Sequence, residues 1–245
     1  MKPYYQDNAV TIWHGDCREV LPTIEPVDLV LTDPPYGVTY VSNAGSGKGT
    51  QPISNDGTRL SLRLYRQVIP LLRSSHVLWF TRWDAWPDVW GELGMWFPLR
   101  GLLVWDKGTP GMGDLDHWGP SYELIASAGG GKIKNGRDGS ILKFAGVPSS
   151  GRGHPTEKPP ALLSYLIEKL CAATVLDPFL GSGATLLAAR RLGSKAVGVE
   201  IEERYCELAA RRCSQELDFH TANVTDEGRG IPRPSPSDCS AGGDA

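Results

Sequence analysis

The chain has 245 residues, of which 40% are hydrophobic and 22% are charged, a globular balance that excludes a wholly disordered chain. No apolar run is long enough to span a membrane, and residues 1–7 lack the apolar core of a secretory signal, so we expect a cytoplasmic protein without a membrane partner. The formal net charge of −3 does not favour a generally basic nucleic-acid binder.

Short apolar runs that predict strands alternate with helical patterns along the chain. The predicted strands span residues 10–14, 27–32, 77–81, 101–105, 123–127, 174–176 and 196–199. The predicted helices span residues 59–73, 160–171, 184–192 and 203–215. This alternation predicts an α/β fold with a doubly wound sheet. The five cysteines and five histidines are scattered without C-x-x-C or H-x-x-x-H pairs, so we expect neither disulfides nor a metal site.

The first motif is the tetrapeptide Asp33, Pro34, Pro35 and Tyr36, which directly follows the predicted strand 27–32. Ligands of open α/β sheets bind at the carboxyl ends of strands. The two prolines stiffen the backbone, so the Asp33 carboxylate and the Pro34 carbonyl can accept hydrogen bonds from an exocyclic amino group. The Tyr36 ring offers a face on which a base can stack. An ordinary Pro-Pro turn is the alternative interpretation.

Three long connections follow, over residues 38–57, 107–122 and 129–152, and loops of this length in a compact domain tend to be functional. Segment 131–158 holds six lysines and arginines against two acids, which fits either a solvated loop or a contact with phosphates. The segment H-P-T-E-K-P at 154–159 precedes a predicted helix. Thr156 is a candidate N-cap and Pro159 a candidate early helix residue, so helix initiation accounts for part of this motif.

The second strong motif is L-D-P-F-L-G-S-G at 176–183, between a predicted strand and a predicted helix. Its glycines allow a sharp turn and a close approach to a ligand. The dinucleotide fingerprint is incomplete because Leu186 occupies its last glycine position, and Asp177 would repel phosphate but suits a cationic amino group. Glu200 ends the next predicted strand, where a carboxylate can accept both hydroxyls of a ribose. For residues 176–183, a Gly-rich strand-to-helix turn without a ligand is the alternative interpretation.

Taken in this order, the segments resemble the β-type amino-methylating DNA methyltransferases, which use S-adenosylmethionine and carry a D-P-P-Y catalytic motif before the cofactor motif. The resemblance covers about residues 8–216. Residues 33–36 match the catalytic motif, residues 177–183 the cofactor motif, and Glu200 the ribose-binding acid. Residues 154–159 resemble the segment beside the methionine part of the cofactor, and residues 15–17 resemble the short G-D segment near its adenine.

The resemblance implies a Rossmann-like methyltransferase fold with a mostly parallel seven-stranded sheet, one antiparallel strand and a permuted motif order. The strand 10–14 would then lie outside the Glu200 strand, and the Asp33 strand beside the Asp177 strand. Residues 1–216 would form the methyltransferase domain. Residues 217–245 are acidic and rich in Pro, Ser and Gly, and we expect a disordered tail there.

The resemblance also implies a function: methyl transfer from S-adenosylmethionine, without a metal, to N6 of a flipped-out adenine in double-stranded DNA. The catalytic residues would be Asp33, Pro34, Pro35 and Tyr36. The cofactor would be bound by Asp16, Cys17, His154, Thr156, Lys158, Asp177, Pro178, Phe179, Gly181, Ser182, Gly183, Glu200 and Ile201. The chain leaves little room for a separate recognition domain, so DNA contacts would come from the three loops, with Lys48, Lys132, Lys134, Arg137 and Arg152 as candidates.

Several alternatives stay open at this point. N4 of cytosine is the nearest one, because the same acceptor pair can hold either amino group. Others are an RNA or protein methyltransferase, a nicotinamide-dependent oxidoreductase, which the broken glycine fingerprint disfavours, and a non-catalytic nucleic-acid-binding relic. The resemblance suits a restriction-modification enzyme of a prokaryotic or phage-infected cell, and it leaves a homodimer open.

Overall fold

One mixed β-sheet forms the framework of the chain. The computed structural model describes residues 2–35, 58–109, 118–119, 121–131, 133, 137–146 and 157–223, without the side chains of residues 58–61 and 216–223. The strands in these ranges are β1 Tyr5–Gln6, β2 Val10–His14, β3 Val27–Thr32, β4 Ser74–Thr81, β5 Leu99–Asp106, β6 Tyr122–Gly129, β7 Ile141–Lys143, β8 Thr174–Asp177 and β9 Lys195–Glu200. The helices are α1 Cys17–Val20, α2 Thr58–Val68, α3 Trp86–Gly94, α4 Pro160–Lys169, α5 Ala184–Arg191 and α6 Glu203–Asn223.

The strand order in the sheet is β1-β2-β9-β8-β3-β4-β6-β5-β7. Strands β2, β9, β8, β3 and β4 are parallel, whereas β6 runs antiparallel to both of its neighbours, β4 and β5. In sheet order, the seven strands β2-β9-β8-β3-β4-β6-β5 confirm the predicted fold, in which one antiparallel strand, here β6, lies among parallel ones. The predicted neighbours are confirmed too, because β2 lies outside β9 and β3 lies beside β8.

The number of strands differs from the prediction, because the described sheet has nine strands and not seven. The two additional strands lie at the edges: β1 has two residues and pairs with β2, and β7 has three residues and pairs with β5. Runs this short carry too little periodicity for a sequence pattern to detect them.

Helices cover both faces of the sheet, which makes the central strands apolar on both sides. Leu29 and Leu31 of β3 pack with the apolar faces of α4, α5 and α6. Val30, between them, points to the opposite face and packs with α1, α2 and α3. Since α5 follows β8 and α2 follows β3, the connections after these two adjacent strands lead to opposite faces. The carboxyl ends of β8 and β3 therefore flank a topological switch point, where open α/β sheets bind ligands.

Several helix boundaries differ from those predicted. Helix α2 ends at Val68 and gives way to a short 3-10 turn at Ile69–Leu71, because Pro70 cannot continue the α-helical hydrogen bonds. Pro159 occupies the N-cap position of α4, so the prediction of Thr156 as the N-cap is wrong. Helix α6 continues past residue 216, the predicted end of the domain, to Asn223. No glycine or proline interrupts the chain there before Gly228.

Candidate active site

Three acids lie at the carboxyl edge of three neighbouring strands. Glu200 ends β9, Asp177 ends β8, and Asp33 directly follows β3, in the order in which these strands lie side by side. The hydroxyl of Thr32, the last residue of β3, donates to Asp177 Oδ1 at 2.7 Å. This hydrogen bond joins the ends of β3 and β8, so the predicted catalytic and cofactor segments meet at the switch point.

Asp33 forms an ion pair with Lys158, and Lys158 also lies 3.1 Å from a carboxylate oxygen of Glu123 in β6. The lysine is almost fully buried, and its ammonium lies 5.1 Å from the centre of the Phe80 ring. Burial acts to lower the pKa of Lys158, but Asp33 and Glu123 outweigh it and hold this pKa above its ordinary value. Lys158 is therefore a permanently charged partner of the predicted catalytic carboxylate.

Three aromatic side chains form a series of contacts that begins at the Asp33–Pro35 turn. The Tyr65 hydroxyl donates to the carbonyl oxygen of Pro35 at 2.5 Å. The Tyr65 ring packs edge-on against Trp79, with ring centres 5.2 Å apart, and Trp79 packs edge-on against Phe179 at 6.1 Å. Contacts of this kind stabilise buried aromatic pairs beyond their burial alone. The contacts through Tyr65 and Trp79 connect the turn after β3 with Phe179, a half-buried residue of the cofactor motif.

Asp177 is 3% exposed and organises the loop that follows β8. Its Oδ1 accepts hydrogen bonds from the Thr32 hydroxyl at 2.7 Å and from the Phe179 amide at 3.1 Å. Burial raises the pKa of Asp177 to about 6, although hydrogen bonds from Thr185, Thr32 and Phe179 act in the opposite direction. A cation placed beside this carboxylate would favour its ionised form. Pro178, next to it, is buried in the turn.

Glu200 closes the other side of the same loop. One carboxylate oxygen accepts from the Gly181 amide at 2.8 Å, and the other accepts from the Glu202 amide, also at 2.8 Å. Burial raises the pKa of Glu200, against the effect of these amides. Each oxygen keeps further lone pairs, so the carboxylate can also accept from the hydroxyls of a sugar. Gly181 has φ of 54°, and a Cβ on it would meet no atom within 4 Å.

Ser182 and Gly183 have structural partners in α6. Arg212 donates to the Ser182 hydroxyl at 3.1 Å and to its carbonyl at 2.9 Å, and the same guanidinium bonds the buried Glu157 at 2.6 Å. A Cβ on Gly183 would lie 2.8 Å from that of Ala209. Arg212 thus connects the cofactor motif with the H-P-T-E-K-P segment.

The G-D segment lies beside Glu200, because the Gly15 amide donates to the Glu200 carbonyl at 2.9 Å. Asp16 is the N-cap of α1, and Arg18 holds the pKa of Asp16 below its ordinary value. Cys17 is buried, and burial raises its pKa to about 12, so its thiol stays neutral. Ile201, directly after Glu200, is 48% exposed at the same edge.

The other predicted site residues are distributed as follows. Pro34 is buried in the turn after β3, and Arg137 is exposed. The remaining candidates lie outside the described residues: Tyr36, Lys48, Lys132, Lys134, Arg152, His154 and Thr156. All of the loop 38–57 also lies outside the described residues, as do residues 110–117 and 120 of the loop 107–122 and residues 132, 134–136 and 147–152 of the loop 129–152.

Sequence patterns alone missed several residues of the site. Glu123, Tyr65, Trp79 and Arg212 act through partners far away in the chain, and no local spacing connects them with those partners. Glu123 carries one weak signal, because it is an acid at the start of a mostly apolar strand.

Within the described ranges, no group of three or more His, Cys, Asp or Glu side chains is arranged to hold a metal ion. In the same ranges, no helix is both long and apolar enough to cross a membrane.

Comparison with known proteins adds an independent line of observation. The family model described as DNA methylase matches residues 88–211. YubD of Escherichia coli (strain K12), which is named as a methylase, is 31% identical over 214 residues, covering 81% of this chain and 87% of YubD. Type II methyltransferase M2.DpnII of Streptococcus pneumoniae is 27% identical over 265 residues, covering 88% of this chain and 93% of the relative. DNA adenine methyltransferase YhdJ of Escherichia coli (strain K12) is 25% identical over 250 residues, covering 85% and 84%.

Solved structures share the fold. The PvuII DNA methyltransferase, described as cytosine-N4-specific, superposes with a TM-score of 0.70 at 16% identity, covering 92% of this chain and 96% of that chain. The complex of M1.HpyAVI with SAM superposes with a TM-score of 0.63 at 22% identity, covering 83% of this chain and 99% of that chain.

Proposed function

The chain belongs to the DNA methylase family, and from this premise we propose that it is a site-specific DNA methyltransferase that methylates N6 of adenine with S-adenosylmethionine. The observation that carries the proposal is the meeting of two motifs at one switch point. Asp33, the first residue of the D-P-P-Y motif, follows β3, and the cofactor motif begins at Asp177, which the Thr32 hydroxyl ties to the end of β3.

The residues at this edge suit S-adenosylmethionine better than a dinucleotide. Asp177 and Glu200 would repel a diphosphate, but they suit a ligand that carries positive charge and a ribose. Glu200 would accept the ribose hydroxyls, Asp177 would favour the cationic end, and the backbone at Gly181 leaves open space for a close approach. We assign the remaining cofactor contacts to the segments of residues 16–17, 154–158 and 178–183 and to Ile201. When bound, S-adenosylmethionine supplies an electrophilic methyl group.

The turn after β3 would receive the target amino group. The Asp33 carboxylate and the Pro34 carbonyl would accept its two N–H bonds, which turns the nitrogen lone pair out of conjugation with the ring and makes it nucleophilic. Lys158 and Tyr65 hold this turn, so its acceptors are oriented before the base arrives. We assign base stacking to Tyr36. A base inside a duplex must be flipped out to reach this turn, at a cost of a few kcal/mol.

Double-stranded DNA is the proposed partner, and the basic loops between β6 and α4 are the proposed contact to its phosphates. Arg137 in this stretch is exposed, as such a contact requires. Relatives with type II methyltransferase names support a role in restriction and modification inside a bacterial cell.

Adenine is the proposed base on two grounds. In the family that this sequence resembles, aspartate at the first motif position goes mostly with adenine and serine mostly with cytosine. YhdJ, named as an adenine methyltransferase, is also among the relatives. Because both bases present an exocyclic amine to the same acceptors, the physical chemistry of Asp33 alone does not discriminate between them.

The test is methyl transfer to duplex DNA, RNA and protein in parallel, with labelled S-adenosylmethionine, followed by digestion of the DNA and mass spectrometry of its nucleosides. We expect label in DNA only, recovered as N6-methyl-2′-deoxyadenosine. N4-methyl-2′-deoxycytidine as the main product would overturn the base assignment. Label in RNA or protein in place of DNA would overturn the proposed substrate.

A further inference from the structure

Four alternating charges form a continuous chain at the candidate active site. Asp33 pairs with Lys158, Lys158 lies 3.1 Å from Glu123 Oε2, and the other oxygen of Glu123 lies 2.6 Å from the ammonium of Lys107. These residues come from four separate parts of the sequence. Lys107 directly follows β5 and Glu123 belongs to β6, so the chain of charges leads from the β5–β6 connection to the turn after β3.

Of the two inner members of this chain of charges, Lys158 is buried and Glu123 is partly buried. The side chain of Lys158 is 6% exposed and that of Glu123 is 18% exposed, whereas Lys107 at the outer end is 26% exposed. Removing one partner of a buried ion pair leaves an uncompensated charge, which is strongly unfavourable. Burial acts to raise the pKa of Glu123, but Lys158 and Lys107 outweigh it and hold that pKa below its ordinary value. The two lysines together therefore favour the ionised form of Glu123.

The geometry around the two lysines restricts where their ammonium groups can lie. Each ammonium is 5.1 Å from the centre of an aromatic ring, Lys158 over Phe80 and Lys107 over Trp105. The Lys107 amide donates to the Ser121 carbonyl at 2.8 Å, which fixes the backbone of Lys107 against the start of β6. Lys158 in turn bonds one oxygen of Asp33, so a shift of its ammonium would change the orientation of the Asp33 carboxylate.

We propose that Glu123 and Lys107 are positioning residues for the catalytic turn: Glu123 fixes the Lys158 ammonium against Asp33, and Lys107 fixes Glu123. Neither residue touches the substrate in this account. The inference rests on the proposed function, because the carboxylate that is positioned is the proposed acceptor of the target amino group. Through these two residues, the β5–β6 connection would be linked electrostatically to the catalytic turn.

The test compares Glu123→Gln and Lys107→Met with matched controls. Glu92→Gln removes a buried, ion-paired glutamate whose carboxylate lies 2.7 Å from the Arg66 guanidinium, and Lys195→Met removes an exposed lysine at the amino end of β9. We expect Glu123→Gln to lower kcat by ~10- to 100-fold, as small misplacements of reacting groups do, and Lys107→Met to lower it by a smaller factor. The S-adenosylmethionine affinity should fall by a smaller factor than kcat, because Lys158 is the only residue of this chain of charges that is also assigned to the cofactor. Glu123→Asp, which keeps the charge, should restore part of kcat.

A second measurement does not depend on activity. Carboxyl-¹³C NMR of the aspartate-labelled protein reports the environment of Asp33, whose signal is assigned as the one missing from Asp33→Asn. We expect this signal to move in Glu123→Gln and in Lys107→Met, and to stay in place in Glu92→Gln and Lys195→Met.

The outcomes separate the two proposals. A wild-type protein that methylates no DNA would overturn the proposed function, while the NMR signal would still decide whether the positioning chain exists. Wild-type kcat in both variants, or an Asp33 signal that does not respond to either, would overturn the positioning role even if the wild type methylates DNA.

Discussion

At the scale of single residues, Asp177 is a buried acid that we place in the proposed cofactor site. The residue is 3% exposed, and burial raises the pKa of its carboxyl group to about 6. Between the ordinary carboxyl pKa and this value the folded protein binds more protons than the unfolded chain, so the unfolding free energy falls as the pH rises through that window. A bound cation favours the ionised carboxylate, so part of this unfavourable energy is recovered when the proposed cofactor binds.

This leads to a pH-dependent prediction for cofactor affinity. S-adenosylmethionine should bind more weakly as the pH is lowered through about 6, because Asp177 then takes up a proton. Asp177→Asn should bind weakly at every pH and lose this dependence, whereas the exposed Asp88→Asn should behave as the wild type. Titration calorimetry from pH 5 to 8 is the measurement. A pH dependence that persists in Asp177→Asn would assign the proton to another group.

At the scale of elements, the loop between β8 and α5 contains one glycine in close contact with a neighbouring helix and one glycine that faces open space. Gly183 has φ of 88°, and a Cβ there would lie 2.8 Å from the Cβ of Ala209 in α6. Gly181 has φ of 54° and faces open space. The missing side chain at Gly183 therefore allows α5 and α6 to lie close together, whereas the missing side chain at Gly181 leaves space beside the loop.

Gly183→Ala should accordingly be the more destabilising substitution. It adds a steric clash to the unfavourable backbone conformation, and we expect the unfolding free energy to fall by about 2–4 kcal/mol. Gly181→Ala should cost about 1–2 kcal/mol, from backbone strain alone. Gly193→Ala is the matched control for strain away from the site, because Gly193 has φ of 75° and no neighbour within 4 Å of its Cβ position. Urea denaturation measures all three, and equal losses would contradict the packing role of Gly183.

At the scale of the whole molecule, the central strands could be predicted from sequence because helices cover both of their faces. β2 and β3 have the predicted boundaries, and β3 is buried at five of its six positions, as expected for a central strand. Helix α3 was missed because it contains two glycines and a proline, and packing of Val89 and Leu93 stabilises it nonetheless. Asp33, Asp177 and Glu200 lie at one edge because β3, β8 and β9 are adjacent and parallel, an arrangement that the family resemblance implied.

The supporting contacts of the site could not be predicted in the same way. Asp33 and Lys158 are 125 positions apart, and Ser182 and Arg212 are 30 positions apart. No periodicity connects such pairs, because their proximity depends on how the helices pack on the finished sheet. Sequence motifs therefore identified the groups proposed to touch the ligands, whereas the side chains that hold those groups required the structure.

The proposed function requires that the turn after β3 performs methyl transfer and that the β8–β9 edge binds the cofactor. The most direct test measures methyl transfer to duplex DNA and S-adenosylmethionine affinity in the same preparations of wild type, Asp33→Ala and the exposed control Asp88→Ala. We expect Asp33→Ala to lower the transfer rate at least ~100-fold while its cofactor affinity stays within a few-fold of the wild type. Retained transfer in Asp33→Ala, or a ~100-fold loss of cofactor affinity, would contradict the account.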